Sequence, residues 1–359
     1  MTDTASTAEA VILVGGKGTR LRPLTLSAPK PMLPTAGVPF LAHLLARIRD
    51  TGIRHVVLGT SYQAEVFERY FGDGSRFGLE LEYVVESEPL GTGGGIRNVA
   101  DRLRADNVLV FNGDVLSGCD LGALLGRHVQ TEAELTLHLT RVADPRAFGC
   151  VPTDADGRVQ AFLEKDPNPV TDQINAGTYV FRREVIERIP SGRPVSVERE
   201  TFPQLLAAGA RVMSLVEQSY WRDLGTPADF IAGSADLVKG RVASSAVPGP
   251  TGEALVLAGA KVDEATVGGG SVIGAGCELG PGAVVTGSVL FDDVILGAGV
   301  EVERSVIGRG SVIGAGSRLR GVVIGDGVRI GAGNELLDGV RVWPGVALDD
   351  GAIRFSADT

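Results

Sequence analysis

The sequence predicts a Rossmann-like α/β domain with a mixed sheet, followed by a parallel β-helix made of hexapeptide repeats. Three observations support this fold class. They are an apolar strand that runs into a glycine-rich loop near residue 15, alternating strands and helices up to about residue 240, and an aliphatic residue at nearly every sixth position beyond residue 260. The length of 359 residues is also typical of two domains.

The glycine-rich loop is the most informative segment of the chain. Val11–Val14 is an apolar run typical of a buried strand. Glycine at three of the next four positions allows the backbone to turn sharply and to present N–H groups to phosphate oxygens. Three basic residues border the loop, namely Arg20, Arg22 and Lys30. The segment is therefore predicted to hold a polyphosphate.

Two common phosphate-binding motifs are excluded for this loop. A Walker A loop requires Gly-Lys-Ser/Thr at a fixed spacing, which this segment lacks. A dinucleotide fingerprint requires Gly-x-Gly-x-x-Gly and a helix directly after it, whereas Pro29, Pro31 and Pro34 would interrupt such a helix. The loop therefore represents another class of nucleotide site.

Composition and charge narrow the possible partners. The formal net charge of −10 argues against a nucleic-acid partner. No apolar run approaches the length of a membrane span, and residues 1–9 lack the basic start and apolar centre of a signal peptide. Cys119, Cys150 and Cys277 are far apart and odd in number, as expected of reduced, buried thiols. We therefore expect a cytoplasmic protein with no membrane partner.

Strands and helices alternate along the first half of the chain, which predicts a mostly parallel sheet covered by helices. The predicted strands are Val11–Val14, His55–Gly59, Leu81–Val85, Asn107–Phe111, Leu135–Val142, Gly149–Thr153, Ala161–Glu164 and Gly177–Phe181. The predicted helices are Pro39–Asp50, Gln63–Phe71 and Gly95–Leu103. Ligands bind at the carboxyl ends of such strands, where the glycine-rich loop and Asp114 both lie.

The C-terminal part of the chain has a different period. Aliphatic residues recur six positions apart, except for five-residue steps that return every seventeen residues. A coil with three faces, one of them shorter, explains this spacing, and the glycine that often follows suits a tight corner. The aliphatic positions are Val267, Ile273, Leu279, Val285, Leu290, Leu296, Val302, Ile307, Ile313, Leu319, Ile324, Ile330, Leu336 and Val342.

The segment Val11–Pro34 closely resembles the signature of the sugar-1-phosphate nucleotidylyltransferases, and the resemblance extends over nearly the whole chain. The other segments that carry it are Glu88–Gly95, Phe111–Asp114, Phe148–Gly149, Gln160–Pro167, Ile174–Tyr179 and Tyr220–Pro227. The family joins a sugar 1-phosphate to a nucleoside triphosphate, giving a nucleotide sugar and pyrophosphate. The resemblance also implies left-handed coils in the β-helix.

The chemistry of this reaction fits the residues present. The attacking phosphate oxygen is already ionised near neutral pH, so positioning and charge neutralisation suffice without a general base. By resemblance, Arg20 and Lys30 would be the catalytic pair that holds the nucleotide's outer phosphates and the leaving pyrophosphate. Asp114 and Asp223 would bind the cofactor Mg²⁺.

The resemblance also implies further binding residues. The implied nucleotide contacts are Val14, Gly15, Gly16, Gly18, Thr19, Gly91, Thr92 and Asn112. The implied sugar-phosphate contacts are Gly149, Glu164, Lys165 and Asn175. The chain departs from the family's Glu-Lys-Pro pattern, because Asp166 precedes Pro167.

Nucleotide specificity is suggested by the turn Gly91-Thr92-Gly93. Thymidylyl- and uridylyltransferases commonly carry Gln or His there, and small residues would leave room for a purine. Together with Val197–Pro203 and Trp221, the turn resembles the family branch that converts GTP and mannose 1-phosphate into GDP-mannose. Another nucleotide or sugar (a glucose-1-phosphate uridylyl-, thymidylyl- or adenylyltransferase) and a non-catalytic, nucleotide-sugar-binding regulatory protein remain open alternatives.

The domain boundaries follow from these segments. We predict a disordered N-terminus over residues 1–9, a nucleotidyltransferase domain over 10–241, a linker over 242–253 and the β-helix over 254–359. Residues 251–359 contain no histidine, which argues against a hexapeptide acyltransferase site. The open end of a β-helix exposes backbone groups, so we expect it to mediate self-association, as a dimer or tetramer, or to pack on the catalytic domain.

Overall fold

The computed structural model describes residues 8–61, 63–164 and 167–354, and it divides into two compact units. The first unit contains the residues up to Gly16 together with Leu44–Trp221. The second unit contains Lys17–His43 together with the residues from Arg222 onward. This division differs from the linear one that we predicted, because the signature segment falls in the same unit as the β-helix from Lys17 onward, while Val11–Gly16 belong to the first unit.

The elements before the β-helix are as follows. The strands are β1 (Ala8–Leu13), β2 (Pro34–Thr35), β3 (Val38–Pro39), β4 (His55–Thr60), β5 (Glu80–Val85), β6 (Asn107–Asn112), β7 (Val115–Ser117), β8 (Leu135–Arg141), β9 (Gly149–Cys150), β10 (Leu163–Glu164), β11 (Gln173–Arg182), β12 (Val212–Val216) and β13 (Trp221–Asp223). The α-helices are α1 (Phe40–Asp50), α2 (Ala64–Phe71), α3 (Gly91–Asn98), α4 (Leu121–Gln130), α5 (Arg183–Glu187), α6 (Phe202–Ala207) and α7 (Pro227–Val238). Short 3₁₀ turns include Thr19–Leu21 and Lys30–Met32, and Val197–Thr201 forms a π-helical turn.

The first unit is built around a mixed sheet, as predicted. Its strand order is β10-β9-β11-β6-β1-β4-β5, and β8 pairs with both β11 and β12. β1 runs parallel to β4 and β6, whereas β11 runs antiparallel to β6 and β8. The central strands are fully buried on both faces, which explains why Val108–Phe111 reads as a continuous apolar run.

The first strand begins earlier than the sequence suggested. β1 includes Ala8 and Glu9, so the expectation of disorder is wrong for these two residues, and residues 1–7 lie outside the described part. Glu9 is tolerated in a buried strand because its carboxylate is fully engaged. It pairs with His55 Nδ1 at 2.7 Å and accepts a hydrogen bond from the Arg104 N–H at 2.7 Å.

Helix α3 also differs from its predicted position. It spans Gly91–Asn98 rather than Gly95–Leu103, although four of its residues are glycines. Glycine is a poor helix former, but tertiary contacts override the propensity here. The N–H groups of Gly93 and Gly94 donate to the Val195 carbonyl at 2.8 and 3.3 Å.

The second unit contains the β-helix. Its strands are β14 (Ala254–Val256), β15 (Thr266–Gly268), β16 (Ser271–Ile273), β17 (Glu278–Leu279), β18 (Val284–Thr286), β19 (Val289–Leu290), β20 (Ile295–Leu296), β21 (Glu301–Glu303), β22 (Val306–Ile307), β23 (Val312–Ile313), β24 (Arg318–Arg320), β25 (Val323–Ile324), β26 (Arg329–Ile330), β27 (Glu335–Leu337), β28 (Arg341–Val342) and β29 (Ala347–Leu348). They form parallel ladders in the orders β14-β16-β19-β22-β25-β28, β15-β18-β21-β24-β27 and β17-β20-β23-β26-β29. These sheets are the faces of the coil and fit the predicted left-handed β-helix.

The predicted aliphatic positions form the core of this β-helix. From Ile273 to Val342 each one is buried, and Val267 packs against the same cluster. Buried serines complete a corner of the coil: the Ser288 N–H donates to Ser271 Oγ, and the Ser305 N–H donates to Ser288 Oγ, both at 3.1 Å. Each hydroxyl thus binds a backbone N–H one coil away, which satisfies a group that the turn would otherwise leave buried and unbonded.

Within the segment Lys17–His43 of the second unit, one hairpin packs against the start of the β-helix. The hairpin formed by β2 and β3 turns at Gly37, where a Cβ would lie 3.0 Å from Leu257 and 3.3 Å from Leu255. The Ala36 N–H donates to Ser234 Oγ on α7 at 2.9 Å. The hairpin, α7 and the first coil are therefore closely packed.

The three cysteines are buried and none of them forms a disulfide, in agreement with the prediction. Among the helices that the structure describes, none combines the length and the apolar character needed to cross a bilayer.

Acid is expected to weaken the first unit through His128. Burial, together with the Arg182 charge, lowers the pKa of His128 to about 4. The unfolded chain therefore binds a proton below its ordinary pKa of about 6.5, while the folded state stays neutral until about pH 4, so stability is lost as the pH falls through this range.

The test compares H128N with the wild type in urea unfolding at pH 7 and pH 5. Protonation of His55 stabilises the folded state, because its hydrogen bond to Glu9 raises its pKa. The effect of His128 is therefore isolated only in the difference between the two proteins. The stability advantage of the wild type should shrink by about 1–2 kcal/mol on acidification. An unchanged difference would contradict the prediction.

Candidate active site

The carboxyl ends of β1 and β6 meet at an unusually close contact. The Gly113 N–H donates to the Leu13 carbonyl at 3.0 Å, and a Cβ on Gly113 would lie only 2.6 Å from that oxygen. A side chain at this position would force the two strand ends apart. The contact places Asn112 and Asp114 at the same edge of the sheet as Gly15, as the sequence predicted.

The glycine-rich loop begins at this edge. The Val14 N–H donates to the Gly59 carbonyl at 2.9 Å, which extends the pairing of β1 beyond its end. Ser61 Oγ donates to the Gly15 carbonyl at 2.7 Å and would lie 2.8 Å from a Cβ on Gly15. Gly16 is exposed, with open space where a Cβ would be. Gly15 is therefore required by packing, whereas Gly16 leaves the backbone accessible.

The glycines of α3 pack against the protein itself. A Cβ on Gly91, Gly93 or Gly94 would lie within 2.9 Å of atoms of the protein, mostly of Val195. The interpretation that these small residues leave room for a purine is therefore wrong at these positions. Their size instead allows the segment that contains Val195 to lie directly against the helix.

The Thr92 side chain also bonds within the protein. Its hydroxyl donates to Glu198 Oε2 at 3.0 Å and accepts from the Val197 N–H at 2.9 Å. It thereby ties α3 to the π-helical turn Val197–Thr201. The nucleotide contact of Thr92 stays a prediction.

Glu86 is a candidate residue that the sequence analysis missed. It follows β5 directly, and burial raises the pKa of its carboxyl. Oε2 accepts from the Leu90 N–H at 3.3 Å, and a Cβ on Gly15 would lie 3.9 Å from the same oxygen. Its place after a strand at the same edge as the glycine-rich loop was the available signal. A carboxylate here can accept hydrogen bonds from N–H donors of a ligand.

A bulge in β11 positions Asn175, one of the predicted sugar-site residues. The pairing of β11 with β8 shifts between Asn175 and Tyr179, and Asn175 Nδ2 donates to the Tyr179 hydroxyl at 2.8 Å. Gly177, with φ of 75°, lies so close to Asn112 that a Cβ would be 2.9 Å from its amide nitrogen. The bulge thus brings Asn175 toward the end of β6.

Trp221 packs beside this bulge. Its indole N–H donates to the Ala176 carbonyl at 3.0 Å, and its ring meets Phe148 edge-to-face with centroids 5.4 Å apart. Gly149 follows Phe148 and pairs in register with Glu164 across β9 and β10. The backbones of Gly149 and Glu164 are therefore adjacent, as the predicted sugar-phosphate site requires. Lys165 lies outside the described residues.

The predicted catalytic cations lie together in the second unit. Lys30 Nζ is 3.5 Å from Asp223 Oδ1, and Arg20 Nη2 is 3.8 Å from Asp223 Oδ2. The Lys30 side chain is only 10% exposed, whereas that of Arg20 is 66% exposed. One carboxylate therefore holds a buried ammonium and an accessible guanidinium.

Local packing explains why these residues converge. Gly18 adopts φ of 57°, and a Cβ there would lie 3.0 Å from Lys30 Cβ and from a methyl group of Thr25. The Thr25 hydroxyl donates to the Gly18 carbonyl at 2.9 Å. Pro29 and Pro31 fix the backbone on both sides of Lys30, which lies at the start of a 3₁₀ turn. The prolines that exclude a helix thus position the lysine.

The donor chemistry of the predicted metal ligands suits a divalent cation. Asp223 offers a partly exposed carboxylate, and Asp114 is a half-buried carboxylate in the turn after β6. Carboxylate oxygens are hard ligands of the kind that Mg²⁺ prefers. Asp114 belongs to the first unit and Asp223 to the second, and their joint binding of one ion stays a prediction.

A second cluster of possible metal ligands lies in the first unit. The ligand atoms of Cys119, His138 and Glu217 are within 4.8 Å of one another. Burial lowers the pKa of His138 to about 4 and raises that of the Cys119 thiol. Arg47 donates to the Cys119 carbonyl and supplies positive charge beside the cluster. We therefore interpret it as a structural polar network rather than a metal centre.

Comparison with known proteins agrees with this geometry. The family model described as nucleotidyl transferase matches residues 9–240, which include the sheet and the predicted catalytic residues. The chain belongs to the nucleotidyl transferase family. The model described as GMPPB C-terminal domain matches residues 251–353 of this nucleotidyl transferase, the part that forms the β-helix.

One relative of this nucleotidyl transferase matches nearly its whole length, and another matches about three quarters of it. A Mycobacterium tuberculosis protein named mannose-1-phosphate guanylyltransferase is 62% identical over 352 residues, or 98% of each chain. An Arabidopsis thaliana protein named mannose-1-phosphate guanylyltransferase 1 is 36% identical over 74% of each chain. Family members typically use a divalent metal.

Solved structures resemble the same part of the nucleotidyl transferase. Crystal structures of HddC from Yersinia pseudotuberculosis, one of them in complex with GMP-PN, are 30% identical and cover 63% of this chain and 97% of HddC. Their TM-scores are 0.56 and, for the complex, 0.55. A putative glucose-1-phosphate thymidylyltransferase from Bacillus anthracis, 22% identical with a TM-score of 0.58 and covering 64% of this chain and 94% of that one, shares the fold.

The close contact of β1 and β6 can be tested with two glycine substitutions. G113A should lower the free energy of unfolding by about 1–3 kcal/mol, because the new methyl group overlaps the Leu13 carbonyl and a Val14 methyl group. G16A is the matched control and should change stability by less than about 0.5 kcal/mol, since its methyl group meets open space. Urea unfolding measures both, and equal effects would contradict the contact.

Proposed function

We propose that this protein transfers a guanylyl group from GTP to mannose 1-phosphate, giving GDP-mannose and pyrophosphate. The observation that carries the proposal is the 62% identity, over 98% of both chains, to a protein named mannose-1-phosphate guanylyltransferase. Identity at this level extends through both the α/β unit and the β-helix. The complex of HddC with GMP-PN further supports a guanine nucleotide.

The reaction needs charge neutralisation more than proton transfer. An ionised oxygen of mannose 1-phosphate forms a bond to the α-phosphorus of GTP, while the bond from that phosphorus to the oxygen bridging to the β-phosphate breaks. The electron pair leaves with pyrophosphate. Groups that bind the growing negative charge of the leaving group lower the barrier. Arg20 and Lys30 are the residues that we assign to this role.

The arrangement around Asp223 supports this assignment. In the second unit both cations lie within 4 Å of the Asp223 carboxylate, so a bound triphosphate could replace this carboxylate as their partner. A guanidinium makes bidentate contacts with phosphate oxygens, whereas a buried ammonium acts as a compact point charge. We therefore propose that Arg20 reaches the outer phosphates and that Lys30 stabilises the leaving pyrophosphate.

The other predicted residues complete the proposal. Mg²⁺, when bound by Asp114 and Asp223, would neutralise negative charge on the nucleotide phosphates. The exposed backbone at Gly16, with the neighbouring Gly15, Gly18 and Thr19, is suited to face phosphate oxygens. Gly149, Glu164 and Asn175 would hold the sugar, and Lys165 would contact its phosphate. Cytoplasmic location and assembly as a homo-oligomer through the β-helix stay predictions.

The role of Lys30 can be tested by substitution. K30M should lower kcat/KM for GTP by about 10²- to 10³-fold, because a fixed positive charge at the leaving group is lost. K261M is the matched control: Lys261 is exposed and pairs with Glu278 on the β-helix, so the variant should retain wild-type activity. Pyrophosphate release measures the rates, and thermal melts check folding. K30M within threefold of the wild type would contradict the assignment.

Substrate specificity is tested by a matrix of five nucleoside triphosphates against mannose, glucose and galactose 1-phosphates, with Mg²⁺ present. We expect pyrophosphate release with GTP and mannose 1-phosphate to exceed every other combination by at least about tenfold. Chelation of the metal with EDTA should abolish release, and added Mg²⁺ should restore it. Preference for another pair would overturn the assigned specificity, and a folded but inactive protein would favour the regulatory alternative.

A further inference from the structure

Arg341 occupies a position that valine occupies in the preceding coils of the β-helix. In the ladder that ends with β28, Val272, Val289, Val306 and Val323 lie in register, and Arg341 pairs with Val323. The four valines are buried, with at most 4% of their surface exposed, whereas Arg341 is exposed. A column that otherwise serves packing therefore ends in a charged side chain.

One additional residue in the last coil produces this exchange. Successive valines of the column are seventeen residues apart, but Arg341 follows Val323 by eighteen. A seventeen-residue coil would have placed Val340 at this position. The additional residue falls in the turn at Asp338 and Gly339, which have positive φ values of 31° and 90°. The register shift turns a packing site into a site for a long polar side chain.

The Arg341 side chain binds the signature segment of the same unit. Its Nη1 donates to the carbonyls of Arg20 at 2.9 Å and Arg22 at 2.7 Å. The 3₁₀ turn Thr19–Leu21 uses the carbonyls of Gly18 and Thr19 for its own hydrogen bonds. Arg341 therefore supplies a donor to the next carbonyls, at the end of the turn, where a basic side chain is favourable.

This contact fixes the backbone from which Arg20 extends. The Arg20 guanidinium lies 3.8 Å from Asp223 and packs so closely on Gly225 that a Cβ there would be 2.5 Å from Nη2. The side chain is thus aligned by Gly225 and Asp223 at its tip and by Arg341 at its backbone. A displacement of about 1 Å at either end would move the charge away from the phosphates that it is assigned to bind.

We propose that Arg341 is a positioning residue for nucleotidyl transfer, through which the last coil of the β-helix holds the catalytic turn in its active conformation. This inference rests on the proposed function of Arg20. The β-helix then contributes to catalysis through the position of Arg20, in addition to any role in assembly.

The test substitutes Arg341 by methionine, which resembles the aliphatic part of the arginine side chain and removes the donors. R341M should lower kcat/KM for GTP about 10- to 100-fold, as expected for a misplaced catalytic group. The KM for GTP should rise while the KM for mannose 1-phosphate stays within twofold, because Arg20 is assigned to the nucleotide phosphates. A merely structural defect would lower the active fraction and leave both KM values unchanged. R341K retains a charged donor and should recover part of the loss.

Two further variants separate positioning from loss of charge. R329M removes an exposed arginine from β26 and should behave as the wild type. In a double-mutant cycle, R341M should add less than threefold to the loss caused by R20M, because Arg341 acts through Arg20. Independent, multiplicative losses would overturn the proposal, as would an R341M enzyme with wild-type kinetics.

Hydrogen exchange distinguishes failure of this inference from failure of the proposed function. Peptides covering residues 17–26 should exchange faster in R341M than in the wild type and in R329M, whether or not the substrate assignment is correct. Faster exchange with unchanged kinetics on the active substrate pair would overturn the positioning role. A wild type that is inactive with every pair would overturn the proposed function and this role with it, and the exchange result would still report whether the contact holds the turn.

Discussion

The arrangement of the signature segment depends on the ion pairs that the Asp223 carboxylate makes with Lys30 and Arg20. Lys30 is nearly buried, and a buried ammonium is costly unless an anion compensates its charge. Asp223 supplies that anion and also attracts Arg20, so two cations separated by ten residues of chain converge on one point. The prolines around Lys30, the left-handed Gly18 and the close approach of Gly225 to Arg20 all serve to bring these three charges together.

The second constraint on the site is backbone proximity at glycine. Gly113 lets two strand ends touch, and the glycines of α3 let the segment around Val195 lie against a helix. Both contacts bring backbone segments together and leave no room for a side chain at these glycines. The backbone is consequently tightly packed where the sheet ends, whereas at Gly16 it faces open space.

The sequence predicted the architecture well because the mixed sheet and the β-helix each leave a local periodic pattern of apolar residues. The mixed sheet and the β-helix were both confirmed, and the aliphatic positions of the repeat form the buried core. Errors arose where tertiary contacts decide the outcome. Glu9 joins a buried strand because His55 and a backbone N–H compensate its charge, and α3 begins at Gly91 because the Val195 carbonyl accepts from two of its N–H groups. The positions of Glu86 and Arg341 likewise depend on pairing between distant segments, which no local pattern reveals.

The hairpin at Gly37 has a practical consequence for fragments of this protein. It packs on Leu255 and Leu257, while the Ala36 N–H donates to Ser234 Oγ, so contacts of the second unit extend across the end of the nucleotidyl transferase sequence match at residue 240. A shortened protein ending there would retain every predicted catalytic side chain but uncover the hairpin surface against which these two leucines pack. Loss of activity in such a fragment would therefore reflect the loss of this packing. Aggregation of the fragment would be no evidence about the assembly of the intact chain.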